Sequence, residues 1–108
     1  SVVPKYLPDG YRLEELYSSD EAGAVNVVGF FKSEKQTIVV QYSSQHDGRL
    51  YQKDDIEPIV YIVSGIEHYI MSNTGDFMAA WVNGNIECSI SGPLSKAELY
   101  QILYSIYF

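Results

Sequence analysis

Few side chains in this 108-residue sequence could do chemistry, and they are scattered. The chain has two histidines, His46 and His68, and one cysteine, Cys88. A protein metal site needs three or four convergent ligands, and a cysteine nucleophile needs an exposed thiolate within reach of a base. Cys88 alternates with Ile86 and Ile90, a pattern typical of a buried thiol. We therefore expect no catalytic residue, no metal and no cofactor, and predict that the protein is not an enzyme.

The carboxylates include adjacent pairs, at residues 14–15, 20–21 and 54–55. Neighbouring side chains on a strand point to opposite faces, so such pairs suit solvated charge better than acid–base catalysis. A calcium site around Asp47, Asp54 and Asp55 stays an open alternative, because carboxylate oxygens suit Ca²⁺, although the spacing matches no calcium-binding loop.

The overall composition narrows the choice of partners. Seven basic and fourteen acidic residues give a net charge of −7, which opposes binding to nucleic acid or to an anionic membrane surface. The length and a hydrophobic share of 46% predict a single domain over residues 1–108. The ten tyrosines favour ordinary strand positions, with a dedicated binding surface as the alternative.

The C-terminal stretch predicts the element that the rest of the chain must support. Ser95 and Glu98 have the spacing of a capping box, so a helix is expected to begin there. Its apolar residues recur at i, i+3, i+4 and i+7 and form one stripe: Leu99, Ile102, Leu103 and Ile106. A helix of this length needs a surface to pack on, and the upstream sequence predicts a sheet.

Strand patterns cover residues 11–17, 24–32, 37–42, 57–63, 66–72, 77–82 and 85–91. The first is ambiguous, since Leu13, Leu16 and Tyr17 also have helical spacing, and we expect a strand that ends at residues 18–20. Residues 43–55 are either a functional insert or a pair of short strands. The order predicts an α+β fold: an antiparallel meander sheet of about six to seven strands with one C-terminal helix packed on one face.

The turn signals also predict a register. Asn83-Gly84 favours a two-residue type I′ turn, which sets Trp81 opposite Ile86 and Ala79 opposite Cys88. A turn at residues 74–75 sets His68 beside Trp81. One face, on which the helix should pack, then collects Ile66, His68, Ile70, Phe77, Ala79, Trp81, Ile86, Cys88 and Ile90.

The opposite face of these strands is expected to be unusually apolar. It carries a contiguous group that we call the predicted patch, defined by Tyr69, Met71, Met78, Ala80 and Val82. Apolar patches of this kind often mark binding surfaces. Two alternatives stay open: the patch is covered by the chain's own N-terminal strand or loop, or the register is wrong.

Several motifs resemble those of a known family. They are Tyr-Leu-Pro-Asp-Gly-Tyr-Arg-Leu at residues 6–13, Ile-Val-Ser-Gly-Ile-Glu-His-Tyr at residues 62–69, the strand around Trp81, and the Ser-Gly-Pro-Leu-Ser-Lys-Ala-Glu-Leu helix start at residues 91–99. Together they resemble an uncharacterised extracytoplasmic domain of Gram-positive anti-sigma-factor-like and sporulation-associated membrane proteins. The outline is also similar to lipoprotein-carrier-like folds.

This resemblance implies a fold and a location, and it carries over no catalytic residues. It implies a domain held outside the cell membrane by a transmembrane segment upstream of Ser1. We therefore expect a binding or sensor domain of a membrane-tethered regulator, contacting a protein or peptide partner through the predicted patch. The alternative is a carrier or sensor for a lipid-like ligand, held in an apolar cleft between sheet and helix. The oligomeric state stays open.

Overall fold

The computed structural model describes residues 4–21, 23–44, 59–73 and 75–108. These residues form one seven-stranded antiparallel sheet and one C-terminal helix, as the sequence predicts. In chain order the elements are β1 (Arg12–Glu21), β2 (Ala24–Lys32), β3 (Thr37–Ser43), β4 (Ile59–Val63), β5 (Ile66–Asn73), β6 (Asp76–Asn83), β7 (Ile86–Ser91) and α1 (Lys96–Tyr107).

The sheet consists of two meanders joined side by side. Its strand order is β1-β2-β3-β7-β6-β5-β4, so β3 pairs with the last strand of the chain rather than with the next one. In that central pair Val40 lies opposite Ile90, and Tyr42 lies opposite Cys88. Within the part of the chain that the structure describes, β1 and β4 form the two edges.

The helix begins and packs as its sequence predicts. The Glu98 backbone N–H donates to Ser95 Oγ at 3.1 Å, and the Ser95 N–H donates to Glu98 Oε1 at 2.9 Å, which completes the capping box. The four residues of the apolar stripe are buried and join the core on one face of the sheet. Of the residues that the structure describes, only α1 is helical, and its 12 residues are too few to span a bilayer.

The first strand is longer than expected. It does not end at residues 18–20, because Ser19 and Asp20 pair with Asn26 and Val25 of β2. A register shift between Leu13 and Glu15 marks a β-bulge. The inserted residue puts Leu13 and Leu16 on the same face, which explains the helix-like spacing of these two leucines.

The β6–β7 turn forms one position later than predicted. Asn83 pairs with Ile86, so the turn residues are Gly84 and Asn85, with Gly84 at φ +65°. Glycine at the first central position is the preference of a type II′ turn. The positive φ values that a type I′ turn requires at both centres occur instead at Ser64 (+55°) and Gly65 (+79°).

The predicted register of this hairpin is therefore shifted by two residues. Trp81 lies opposite Cys88 rather than Ile86, and Ala79 lies opposite Ile90 rather than Cys88. Because side chains alternate with a period of two, a shift of two leaves every residue on its predicted face. The helix accordingly packs on the predicted set, in which His68, Ile70, Ala79, Trp81, Cys88 and Ile90 are buried. Ile86, at the end of its strand, is 41% exposed.

Candidate functional site

The predicted patch lies on one face of the sheet, opposite the helix. Tyr69 pairs with Ala80, Met71 pairs with Met78, and Val82 follows along β6. Its members differ in accessibility: Met71 is 5% exposed and Ala80 is fully buried, whereas the other three are half-buried. The sequence thus places these residues together, but the centre of the patch is closed to a partner.

The accessible part of this face extends onto the edge strand β4. Val60 lies opposite Tyr69, and Ile62 lies opposite Glu67, so both share the face of the patch. Their exposed fractions are 45% and 61%. We call the accessible residues Val60, Ile62, Tyr69 and Val82 the β4–β6 face. The sequence signal for the two β4 residues is the uninterrupted apolar run at residues 59–63, which by itself does not identify an edge strand.

A shallow depression of about 500 Å³ adjoins this face, between Ile62, Tyr69 and Val82. The Tyr69 hydroxyl donates to Glu67 Oε1 at 2.9 Å beside it. This hydrogen bond, together with the negative charge of Glu67, raises the pKa of Tyr69. The tyrosine is therefore a protonated donor beside this depression, which Glu67 also lines.

His68 is buried beneath the helix and links three elements. Its Nδ1 lies 3.0 Å from the carbonyl oxygen of Tyr61 in β4, and its Nε2 lies 2.7 Å from the hydroxyl of Tyr107 in α1. A carbonyl only accepts, so Nδ1 carries the proton and Nε2 accepts from Tyr107. The ring also lies 4.9 Å from that of Trp81. Burial lowers the pKa of His68 and opposes its charged form.

Cys88 and Trp81 are neighbours in the same core. Cys88 is 1% exposed, and burial raises the pKa of its thiol to about 12. A thiol with such a pKa is a poor nucleophile, because the thiolate is the reactive form. The indole Nε1 of Trp81 is buried without a hydrogen-bond acceptor among the described residues.

The acidic and histidine side chains that the sequence analysis weighed as metal or acid–base groups lie partly inside and partly outside the described residues. Within the described ranges, no three histidine, cysteine or acidic side chains lie close enough to hold a metal ion. Glu15 forms an ion pair of 2.7 Å with Lys32, and hydrogen bonds from Lys32 and Tyr17 lower the pKa of this exposed carboxyl group. The alternative calcium ligands Asp47, Asp54 and Asp55 lie outside the described residues, as does His46.

A second surface feature, which we call the aromatic groove, has lining residues that the sequence analysis did not name, although its alternative hypothesis included an apolar cleft between sheet and helix. It is an open groove of about 570 Å³ between α1, the edge strand β4 and the N-terminal segment. Its lining residues are Lys5, Tyr6, Tyr61, Tyr100, Gln101, Tyr104, Ser105 and Phe108.

Two stacked ring pairs shape the aromatic groove. Tyr61 and Tyr100 have ring centroids 4.3 Å apart at an interplanar angle of 21°, and Tyr104 and Phe108 have centroids 4.7 Å apart at 25°. Tyr104 is 53% exposed and Phe108 is 66% exposed, so the second pair presents ring surface to solvent. The groove is therefore an apolar, solvent-accessible surface on the helix side of the sheet.

A single hydroxyl group joins the N-terminal wall of the groove to the helix. The backbone N–H groups of Lys5 and Tyr6 each donate to Ser105 Oγ, at 3.1 Å. Ser105 Oγ in turn donates to the Ile102 carbonyl at 2.7 Å. Leu7, next along the chain, packs against the core. These contacts position Lys5 and Tyr6 beside the outer face of α1.

Comparison with known proteins identifies the domain but not its activity. No curated protein matches the sequence. A family model described as a domain of unknown function, DUF4367, matches residues 1–106, nearly the whole chain. The chain therefore belongs to the DUF4367 family of domains of unknown function.

Proposed function

We propose that this domain is a non-catalytic binding module of a membrane-tethered regulator, and that it contacts a protein or peptide partner through the β4–β6 face. The observation that carries this proposal is the composition of the edge strand. All five residues of β4 are apolar or aromatic, and Ile59, Val60 and Ile62 are each more than two-fifths exposed. Natural proteins usually protect sheet edges with charges, proline or bulges, and an unprotected edge can accept an extended partner strand.

Among the described residues, the histidine and the cysteine that could support an enzyme are engaged elsewhere, which favours binding over catalysis. Both ring nitrogens of His68 are used in hydrogen bonds that hold the fold together. Cys88 is buried and its thiol has a raised pKa. Neither group lies in the aromatic groove or on the β4–β6 face.

The location outside the membrane is proposed from the resemblance described above. The motifs resemble extracytoplasmic domains of Gram-positive anti-sigma-factor-like and sporulation-associated proteins, in which an upstream anchor tethers the domain. A Ser19→Cys variant of the full-length protein tests the location, because Ser19 is exposed. A membrane-impermeant maleimide should label this variant in intact cells, whereas the buried Cys88 of the parent provides the unlabelled background. Labelling only after lysis would contradict the proposed location.

Partner binding is tested by crosslinking in the full-length protein. A photo-crosslinking residue at position 60 should give a discrete adduct with another polypeptide. Ile62→Glu, on the same face of β4, should abolish this adduct, because a charge would be buried at the contact. Ile86→Glu is the matched control, since Ile86 is also an exposed isoleucine but lies on the helix side of the sheet.

Three outcomes are informative. Loss of the adduct with Ile62→Glu alone, at unchanged thermal stability, supports the β4–β6 face. Equal adducts in both variants would remove this face from the proposal. Unfolding of the Ile62→Glu variant would show that the side chain belongs to the core, which its exposure of 61% contradicts.

A second candidate function is a carrier or sensor for a lipid-like ligand, and the aromatic groove is the observation that favours it. This groove lies between the sheet edge and the helix, and its walls are mostly aromatic. Native mass spectrometry after gentle purification distinguishes the two candidates. A carrier should bring additional mass of a small molecule, whereas a module that only binds proteins should not.

A further inference from the structure

Many of the chain's tyrosines line the aromatic groove. Four of the chain's ten tyrosines line it, together with Phe108. Stacking of Tyr61 on Tyr100 and of Tyr104 on Phe108 orders these rings before any ligand is present. Preordered side chains lose little conformational entropy on binding, so they are suited to hold an apolar body.

The described side chains of the aromatic groove include a positive charge, although the protein as a whole is acidic. The chain has a net charge of −7, and among the described side chains that line the groove Lys5 is the charged one. The Lys5 backbone N–H donates to Ser105 Oγ of α1, so the lysine side chain starts from a fixed point beside the groove. A positive group beside an apolar surface is complementary to a ligand that has an anionic head and an apolar tail.

The groove is large enough for a small ligand. The groove volume of about 570 Å³ is within the usual range of small-molecule sites, about 300–1,000 Å³. Its described walls are side chains of α1, of the N-terminal segment and of Tyr61 in β4. An extended peptide would find its main-chain partners at the edge of β4 instead.

We propose that the aromatic groove binds a single-chain anionic amphiphile, with the anionic head at Lys5 and the tail along the rings of Tyr6, Tyr104 and Phe108. This inference rests on the second candidate function and specifies its ligand. It assigns the head to an electrostatic contact and the tail to apolar burial, and the two contributions can be tested separately.

Titration calorimetry with three amphiphiles provides the test; the tail of laurate is one carbon shorter than the other two, which works against the expected order. Laurate is anionic, dodecyl maltoside is neutral and dodecyltrimethylammonium is cationic, each used below its critical micelle concentration. Laurate should bind most tightly, by about tenfold over the neutral compound, as expected for one charge-assisted contact. Acetate, which has the head group without the tail, should not bind measurably.

Three variants localise the binding to the groove. Lys5→Gln should weaken laurate binding by about tenfold and leave dodecyl maltoside unaffected. Tyr104→Ala should weaken both, because it removes exposed ring surface. Lys96→Gln is the matched control for Lys5→Gln. Lys96 is an exposed lysine of α1 that does not line the groove, so its replacement should not change binding.

The results separate this inference from the function on which it rests. Equal binding of the three amphiphiles, or an unchanged laurate affinity in Lys5→Gln, overturns the anionic assignment and leaves the lipid-like ligand standing. Absence of binding by all three overturns both. Binding that Tyr104→Ala does not weaken overturns the aromatic groove as the site.

Discussion

The hydrogen bond between Tyr107 and His68 offers a direct test of how the helix is held on the sheet. The Tyr107 hydroxyl donates to Nε2 of His68 at 2.7 Å, and the two rings meet edge to face with centroids 5.4 Å apart. Burial, and secondly the nearby Cys88, raises the pKa of Tyr107 to about 12, so the hydroxyl stays a donor over the whole neutral range. Tyr107→Phe removes this donor and keeps the ring.

The expected loss in the free energy of unfolding follows from the burial of His68. His68 is fully buried, so without Tyr107 its Nε2 becomes an acceptor with neither a protein partner nor water. Leaving a buried polar group unsatisfied costs about 1–3 kcal/mol. In a domain of about 100 residues each kcal/mol lowers the Tm by roughly 4–8 °C. We expect Tyr107→Phe to lower the free energy of unfolding in urea by this amount, with an unchanged m-value and a correspondingly lower Tm.

Tyr104→Phe is the control, because it makes the same change one turn earlier on the same helix. Tyr104 is 53% exposed, so removal of its hydroxyl should leave no buried group without a hydrogen bond. This variant should remain within about 0.5 kcal/mol of the parent. If the two variants were equally stable, the His68–Tyr107 hydrogen bond would not contribute to holding the helix on the sheet.

Three further predictions concern the same core. Because burial lowers the pKa of His68 in the folded state, the unfolded chain binds a proton first as the pH falls below about 6.5, so stability should decrease from there toward lower pH. Between about pH 6.5 and 5, above the range in which carboxyl groups titrate, urea titrations should show this slope in the parent and in His46→Gln, and not in His68→Phe. Ser95→Ala removes the acceptor for the Glu98 N–H and should cost about 1 kcal/mol, measured by thermal denaturation against Ser18→Ala as an exposed control. Cys88 should resist alkylation at mildly alkaline pH in the folded protein and react once urea unfolds it, and rapid labelling of the native state would contradict its burial.

Local sequence patterns predicted the parts of the fold that depend on local physics. The capping box requires only Ser95 and Glu98 at the correct spacing, and the apolar stripe requires only the helical period. Face assignment in the sheet depends on the period of two, so it survived the error at the Asn83–Gly84 turn. The turn type was wrong because glycine satisfies both the first position of a type II′ turn and the second position of a type I′ turn.

The order of the strands in the sheet could not be predicted from these local patterns. Alternation defines which side of a strand is buried, but not which strand lies beside it. Pairing of β3 with β7 brings together residues about 50 positions apart, Val40 with Ile90, and joins the two meanders into one core. The bulge in β1 was equally hidden, because Leu13 and Leu16 have the same spacing in a helix and in a bulged strand.

The two candidate surfaces differ in how far each could be predicted from the sequence. The predicted patch follows from strand parity, but exposure depends on neighbours across the sheet, and so Met71 and Ala80 are buried while Ile62 on β4 is accessible. The aromatic groove depends on a contact that no period describes: backbone groups at residues 5 and 6 meet the hydroxyl of Ser105, about 100 positions away. In the sequence Ser105 is one polar residue on the outer face of a helix. Its role arises only when the sheet brings both ends of the chain together, and the same contact places Lys5 beside the tyrosines that define the groove.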